Sequence, residues 1–353
     1  MREKTQYVTL DAMRGVAAIS VIWFHLHFLL GYDSAGCLAV DFFFVLSGFV
    51  IAFAYDERLG SGLSIGSFVK ARLIRMYPLF IAGLLLGLAV QQVLIVRGVS
   101  KFSEADALAS FFLEAFWIPS PFYGSWDVTF PINGPSWSLS LEILVNLLFA
   151  VFHRHLSNRL LFAIALVSGM VVVSAVIDRG TVNVGWAWQH IELGVARVMF
   201  SFPIGVLLYR YRNHIPASLG RIPPWALLVA LGLILLLPEW RATDVAFLLI
   251  GGPFLVAAGF RAHNGDKTNG VFRMLGNTSY PVYALHGTPI YLLQGVAKVL
   301  NLGRFAILVS LLYVIGVLIV AHLIVPLDAR VRKALTAYFQ ARPDAPPGSL
   351  SRN

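Results

Sequence analysis

Apolar residues run along this chain in long blocks, not in the strict alternation of a half-buried strand. Blocks of the length that a membrane-crossing helix needs, roughly 17–25 residues, lie at about 10–30, 37–55, 77–96, 136–152, 159–177, 194–209, 224–238, 242–260, 278–297 and 304–325. They predict an all-α polytopic membrane protein with about ten transmembrane helices. A further stretch, 105–118, is interrupted by Glu114 and ends at Pro119, which predicts a surface or re-entrant helix. No period of 20–50 residues repeats along the chain. The one long loop, 97–135, is rich in Phe, Trp, Tyr, Pro and Gly, a composition suited to an ordered cap over an outward-facing cavity.

Composition agrees with the pattern. Hydrophobic residues make up 58% of the 353 and charged residues 13%, where a soluble domain carries about 25% charged residues. Mean hydropathy is +0.75. A net charge of +9 suggests nucleic acid only when it gathers on one face; here it sits in loops, so no nucleic-acid partner is expected. Of the 27 Lys and Arg residues, 19 fall in segments that a ten-span count puts on the N-terminal side, six fall opposite, and Arg14 and Arg197 lie within spans. That asymmetry predicts cytoplasmic N- and C-termini. Counting 105–118 as a span would invert every later loop and lose it. The division expected is a membrane-embedded domain over 1–330 and a short basic cytoplasmic tail over 331–353, partly disordered. The single Cys37 excludes an internal disulfide framework, and no metal site is expected. The first apolar run bears Asp11 and Arg14 and has no small-residue cleavage site, so it should stay as a span.

Ionisable residues inside spans are costly and mark pathways or sites. Arg14 and His25 stand eleven residues apart, three helical turns plus about 20°, so they share one face over about 16 Å. Asp41, near the outer end of the second span, is expected at the depth of His25, where a carboxylate would orient the imidazole as a general base. Lys70, Arg72 and Arg75 cluster at the predicted cytoplasmic mouth. Arg72 and Arg75 share a face and suit either ordinary positive-inside charge or a phosphate clamp. Ser136, Trp137, Ser138, Ser140 and Glu142 enter the fourth span together. A carboxyl group in an apolar helix suits proton exchange, or else pairs with Arg197 of the sixth span. Trp137 belongs either to an interfacial aromatic belt or under a sugar ring. Tyr283 and His286 lie one turn apart in the ninth span, between Pro281 and Pro289.

Five motifs arrive in order: LDAMRGVAAISVIWFH, VDFFFVLSGF, Arg72 and Arg75 followed by Tyr77 and Pro78, PSWSLSLE, and SYPVYALH. Together they resemble the acyltransferase-3 family of integral membrane O-acyltransferases over about residues 7–325. Met13, Ala39 and Ala284 depart from the residues usual there. The resemblance implies transfer of an acyl group, acetyl being the expected one, from cytoplasmic acyl-coenzyme A to a hydroxyl of a glycan or glycosylated acceptor. It also implies a bacterial inner membrane. The candidate set is then His25, Asp41 and Glu142 for catalysis, and Arg14, Arg72, Arg75 and Tyr77 for coenzyme A. Ser136, Trp137, Arg197, Tyr283 and His286 are the candidates for the acceptor. Direct transfer and an acylated side-chain relay both fit these residues. Some relatives carry an appended extracytoplasmic hydrolase-like domain; here a short tail follows the last span, so transfer is expected to finish in the membrane domain or on a partner. The alternative, a transporter or flippase of a glycan or lipid-linked intermediate, predicts inverted repeats, and the two halves show no such similarity.

Overall fold

A computed structural model describes residues 7–100, 102–122, 128–262 and 269–341. Among these, Ser34 and Pro238 form the one β-bridge and everything else regular is helical. The helices are α1 (Val8–His25), α2 (His27–Leu30), α3 (Ala39–Gly60), α4 (Ile65–Val96), α5 (Glu104–Ala115), α6 (Ser136–Phe152) and α7 (Asn158–Arg179). They continue with α8 (Ile191–Arg210), α9 (Pro224–Leu236), α10 (Arg241–Ala246), α11 (Gly252–Arg261), α12 (Asn269–Leu285), α13 (Gly287–Val299) and α14 (Ala306–Ala341).

Among the described residues, seven helical stretches are long and apolar enough to cross a membrane: Ala35–Gly60, Ile65–Val96, Ser136–His155, Asn158–Arg179, Trp188–Arg210, Arg241–Arg261 and Leu302–Gln340. The other three expected spans are helical too, but shorter or broken. The block at 10–30 divides after His25, α9 has 13 residues, and the block at 278–297 divides at His286. A π-helical turn at Phe247–Gly251 joins α10 to α11. The chain of α14 runs on as helix over 331–341, past the point where the tail was expected to begin; residues 342–353 lie outside the described residues.

Small residues bring the backbones together. In the seam between α3 and α8, a Cβ on Gly48 would collide with the Phe202 carbonyl oxygen, and one on Gly205 with that of Val45. Only glycine permits this approach, as expected where helices pack without a hydrophobic drive between them. The surface is the reverse of a soluble protein's. Ile307, Leu308, Leu311, Leu312, Ile315, Ile319 and Leu323 of α14 are exposed, whereas Asp41, Arg197, Ser138, Asn146 and His286 are buried. Lipid satisfies the first group; the second has to find partners inside the bundle.

Candidate active site

Two helices build the spine of the site. On α1, Arg14 donates from Nε to Ser279 Oγ at 2.9 Å and from Nη2 to the Gly276 carbonyl at 3.3 Å, and it pairs with Asp11 at 3.0 Å. Gly276, Ser279, Tyr283 and His286 follow at intervals of three and four residues, so α12 turns one face to α1. At the far end of that face the rings of His25 and His286 stand 5.4 Å apart between centroids. Both helices stop there: α1 ends at His25, and His286 is the residue between α12 and α13. The shared face expected for Arg14 and His25 is therefore the face against α12.

His286 is wholly buried. Its Nδ1 lies 3.0 Å from the Val282 carbonyl and 3.1 Å from that of Tyr283, and its own carbonyl accepts from Tyr313 at 2.6 Å. His25 is half-buried and makes no side-chain hydrogen bond among the described residues. His27, two residues on, is exposed.

The opening of α6 forms the opposite wall. Ser138 hydrogen-bonds to the Tyr283 hydroxyl, and both also reach the Pro135 carbonyl, at 3.1 and 3.2 Å. Asn133 donates from Nδ2 to the Ala284 carbonyl at 3.2 Å. One turn further along α6, Glu142 accepts from Ser47 at 2.8 Å and from Arg72 Nη2 at 3.3 Å. Tyr280 donates to the Met76 carbonyl beside them. Arg75 is exposed, with no ion-pair or hydrogen-bond partner among the described residues. Tyr77 meets the edge of Trp117, which stacks on Phe80 at 4.8 Å. A column of polar side chains thus runs inside the bundle from Arg75 and Arg72, past Glu142, Ser138 and Tyr283, to the two histidines.

Asp41 stands apart from that column. Arg197, fully buried in α8, grips it with Nε at 3.1 Å and Nη2 at 2.6 Å, and donates also from Nη1 to the Val184 carbonyl at 2.7 Å and from Nη2 to that of Cys37 at 3.1 Å. The Arg197 guanidinium also lies 5.5 Å over the Trp137 ring. The expected Asp41 to His25 contact is therefore not made, and neither is the alternative pairing of Glu142 with Arg197. Each carboxylate has taken a different arginine: α3 lies along α8, and Glu142 on α6, which touches both α4 and α8, is rotated toward Arg72 of α4, an orientation that no spacing in the sequence encodes. Ser136 is buried with a bare hydroxyl, as are Asn133 Oδ1 and Thr288 Oγ1 in the two segments that meet here.

Ser47 reads from the sequence only as a small residue for close helix packing beside Gly48, and nothing in the sequence marks Ser279, Asn133 or Tyr313, since single polar residues are unremarkable in helices. Glu114 had been read only as an interruption. It is completely buried and accepts the backbone N–H of Ile132 at 2.7 Å and of Asn133 at 3.1 Å, pinning the loop 131–134 to α5. Burial pushes its carboxyl up to about 8, against the opposing pull of those two donors. Beyond Ala115 the chain turns at Trp117, a non-glycine residue at φ +57° whose carbonyl accepts from Ser140 at 3.1 Å.

A family model described as "Acyltransferase domain" matches residues 7–325. Protein 2 in the picA locus of Rhizobium radiobacter is 33% identical over 180 residues, 48% of this chain and 94% of that protein. The putative peptidoglycan O-acetyltransferase YrhL of Bacillus subtilis (strain 168) is 24% identical over 332 residues, covering 85% of this chain and 52% of the relative. Peptidoglycan O-acetyltransferase OatA of Listeria monocytogenes is 28% identical over 158 residues, 43% of this chain and 25% of that protein. The chain thus spans only part of the length of the two named O-acetyltransferases. No solved structure matches.

Proposed function

The chain belongs to the acyltransferase-3 family, as a multi-pass membrane O-acyltransferase, and on that premise we propose that it carries an acyl group from cytoplasmic acyl-coenzyme A to a hydroxyl of a glycan or glycosylated acceptor on the opposite side of a bacterial inner membrane. Acetyl is the group favoured, because the related enzymes are named for it. The observation that carries the reading is the polar column among α1, α4, α6 and α12, separate from the Asp41–Arg197 pair. Between Tyr280, beside Met76, and His286 it covers six residues of α12, about 9 Å of rise.

In this reading Arg75 is the free phosphate ligand at the cytoplasmic mouth, and Arg72, already held by Glu142, is the second. Tyr77 flanks them. Arg14 fixes α1 to α12, and the arm of coenzyme A runs beside that closed seam, along the polar side chains of α6 and α12. The thioester then stands near His25. The acceptor hydroxyl comes from the other side, where Asn133, Ser136 and Thr288 offer bare polar atoms to a hydroxyl-rich ligand. His25 takes the hydroxyl proton as the oxygen bonds to the thioester carbon, and the proton leaves with the sulfur when the C–S bond breaks. Glu142 and Tyr283 hold the wall between the two substrates, whereas Asp41 and Arg197 hold α3 to α8 and keep Trp137 beneath the acceptor.

The test is transfer of labelled acetyl from acetyl-coenzyme A supplied to one face of a vesicle onto a soluble glycan at the other, using purified protein. Label on the glycan that depends on acetyl-coenzyme A supports the reading. Glycan movement without acylation returns the protein to the transporter class.

A further inference from the structure

The two histidines at the helix breaks differ in how they are held. A carbonyl oxygen only accepts, so His286 Nδ1, facing the carbonyls of Val282 and Tyr283, carries the hydrogen of the neutral ring. That leaves Nε2 as the nitrogen with the free lone pair, and it is buried with no partner. An unmade buried hydrogen bond is costly, so such groups in a folded protein call for an explanation. His25 is the opposite case: no hydrogen bond among the described residues selects either of its tautomers. The carboxylate that would have fixed it, Asp41, is held by Arg197. The polar ring beside it is His286, tilted by 37° with its centroid 5.4 Å away and not hydrogen-bonded to it, so a turn of the His25 ring has to bring the two nitrogens together.

We propose that His286 is the proton store behind His25, the partner that a carboxylate supplies in an ordinary catalytic dyad. This rests on the acyltransferase reading above. As the acceptor oxygen bonds to the thioester carbon, its proton passes to one nitrogen of His25, and the proton on the other nitrogen of His25 passes to Nε2 of His286. The charge then sits on an imidazolium whose Nδ1–H already points at two carbonyl oxygens, which stabilise it. When the C–S bond of the tetrahedral adduct breaks, Nε2 returns its proton to His25 and His25 delivers one to the departing sulfur. The products are the ester and the free thiol, and both rings regain their starting tautomers. An unfixed His25 between a fixed His286 and the substrate is the arrangement such a two-way transfer needs.

His286→Asn separates this role from a structural one, because an Asn amide can replace the Nδ1–H contact to the carbonyls while removing Nε2. In the vesicle assay with acetyl-coenzyme A, the Asn variant should keep its unfolding temperature and both KM values and lose 100-fold or more in kcat. The double variant with His25→Ala should be no slower than His25→Ala alone, since the two rings act as a unit. An Asn variant within tenfold of wild type, or losses that multiply in the double variant, would overturn the proposal. A wild-type protein that never uses acetyl-coenzyme A would instead overturn the acyltransferase reading. Should the Asn variant fail to fold, nitrogen NMR of histidine-labelled wild type decides the matter. A single Nδ1–H tautomer at His286 with a mixed population at His25 supports the store, and an Nε2–H tautomer at His286 excludes it.

Discussion

Arg197 meets Asp41 fork to fork, its two nitrogens at 3.1 and 2.6 Å from the two carboxylate oxygens, with both side chains almost wholly buried. A pair so enclosed is costly to form and costlier to break, because removing one partner strands the other charge. Asp41→Ala and Arg197→Ala should each destabilise the protein by about 3–5 kcal/mol. Asp41→Asn, which keeps an acceptor, should lose less. Unfolding temperatures in detergent check this, and a folded Asp41→Ala variant of wild-type stability but no activity would give Asp41 back its catalytic role.

Arg72 and Arg75 share a sequence motif but not an environment. Arg75→Ala should weaken acyl-coenzyme A binding by about 1.5–3 kcal/mol, the worth of one charge-assisted hydrogen bond, and leave stability alone. Arg72→Ala should do both, because it also releases Glu142. Arg75→Lys should restore part of the affinity, since lysine lacks the planar fork. Titration of purified variants with acyl-coenzyme A separates the two effects.

His25→Ala and His25→Gln should each slow acyl transfer by about 100- to 10,000-fold, the usual loss with a general base, while donor affinity stays within a factor of two or three. His27→Ala is the control: His27 is exposed, against Phe24 and Phe28, so its variant should transfer at the wild-type rate.

The buried carboxyl of Glu114 makes stability depend on pH in a defined direction. Its folded value of about 8 lies above the ordinary 4.5, so between these the folded protein binds more protons than the unfolded chain. Its contribution is therefore fully present below about 4.5 and is lost as pH rises through 8. Unfolding temperature should fall over that window in the wild type. Glu114→Gln, with no proton to lose, should flatten the fall, and Glu114→Ala should loosen the loop 131–134 at every pH.

Helices were legible wherever apolar residues ran unbroken, and spacing alone put Arg14 with His25 and Tyr283 with His286; that the two pairs meet in one seam was not legible. The partners of charged groups were not legible. Asp41 and His25 are expected at one depth, yet Asp41 faces Arg197, 156 residues away along the chain. Such a choice depends on which helices touch and at what rotation, and here glycines such as Gly48 and Gly205 set it through backbone contact. The helix break at His25 was equally hidden, because it interrupts a run whose hydropathy reads as continuous, whereas Pro281 and Pro289 mark irregular helix on either side of His286.

Gly276 and Gly15 are what hold α1 and α12 in register. A Cβ on Gly15 would strike the Leu275 carbonyl and one on Gly276 would strike Asp11, so neither helix can slide past the other without main chain meeting main chain. The separation between the arginine end and the histidine end of this seam is then a ruler cut to one length. On the acyl-transfer reading, a coenzyme A arm of fixed length would bring every thioester carbonyl level with the imidazoles, and each added methylene of a longer acyl chain would have to be stowed beyond them, on the side the acceptor must occupy.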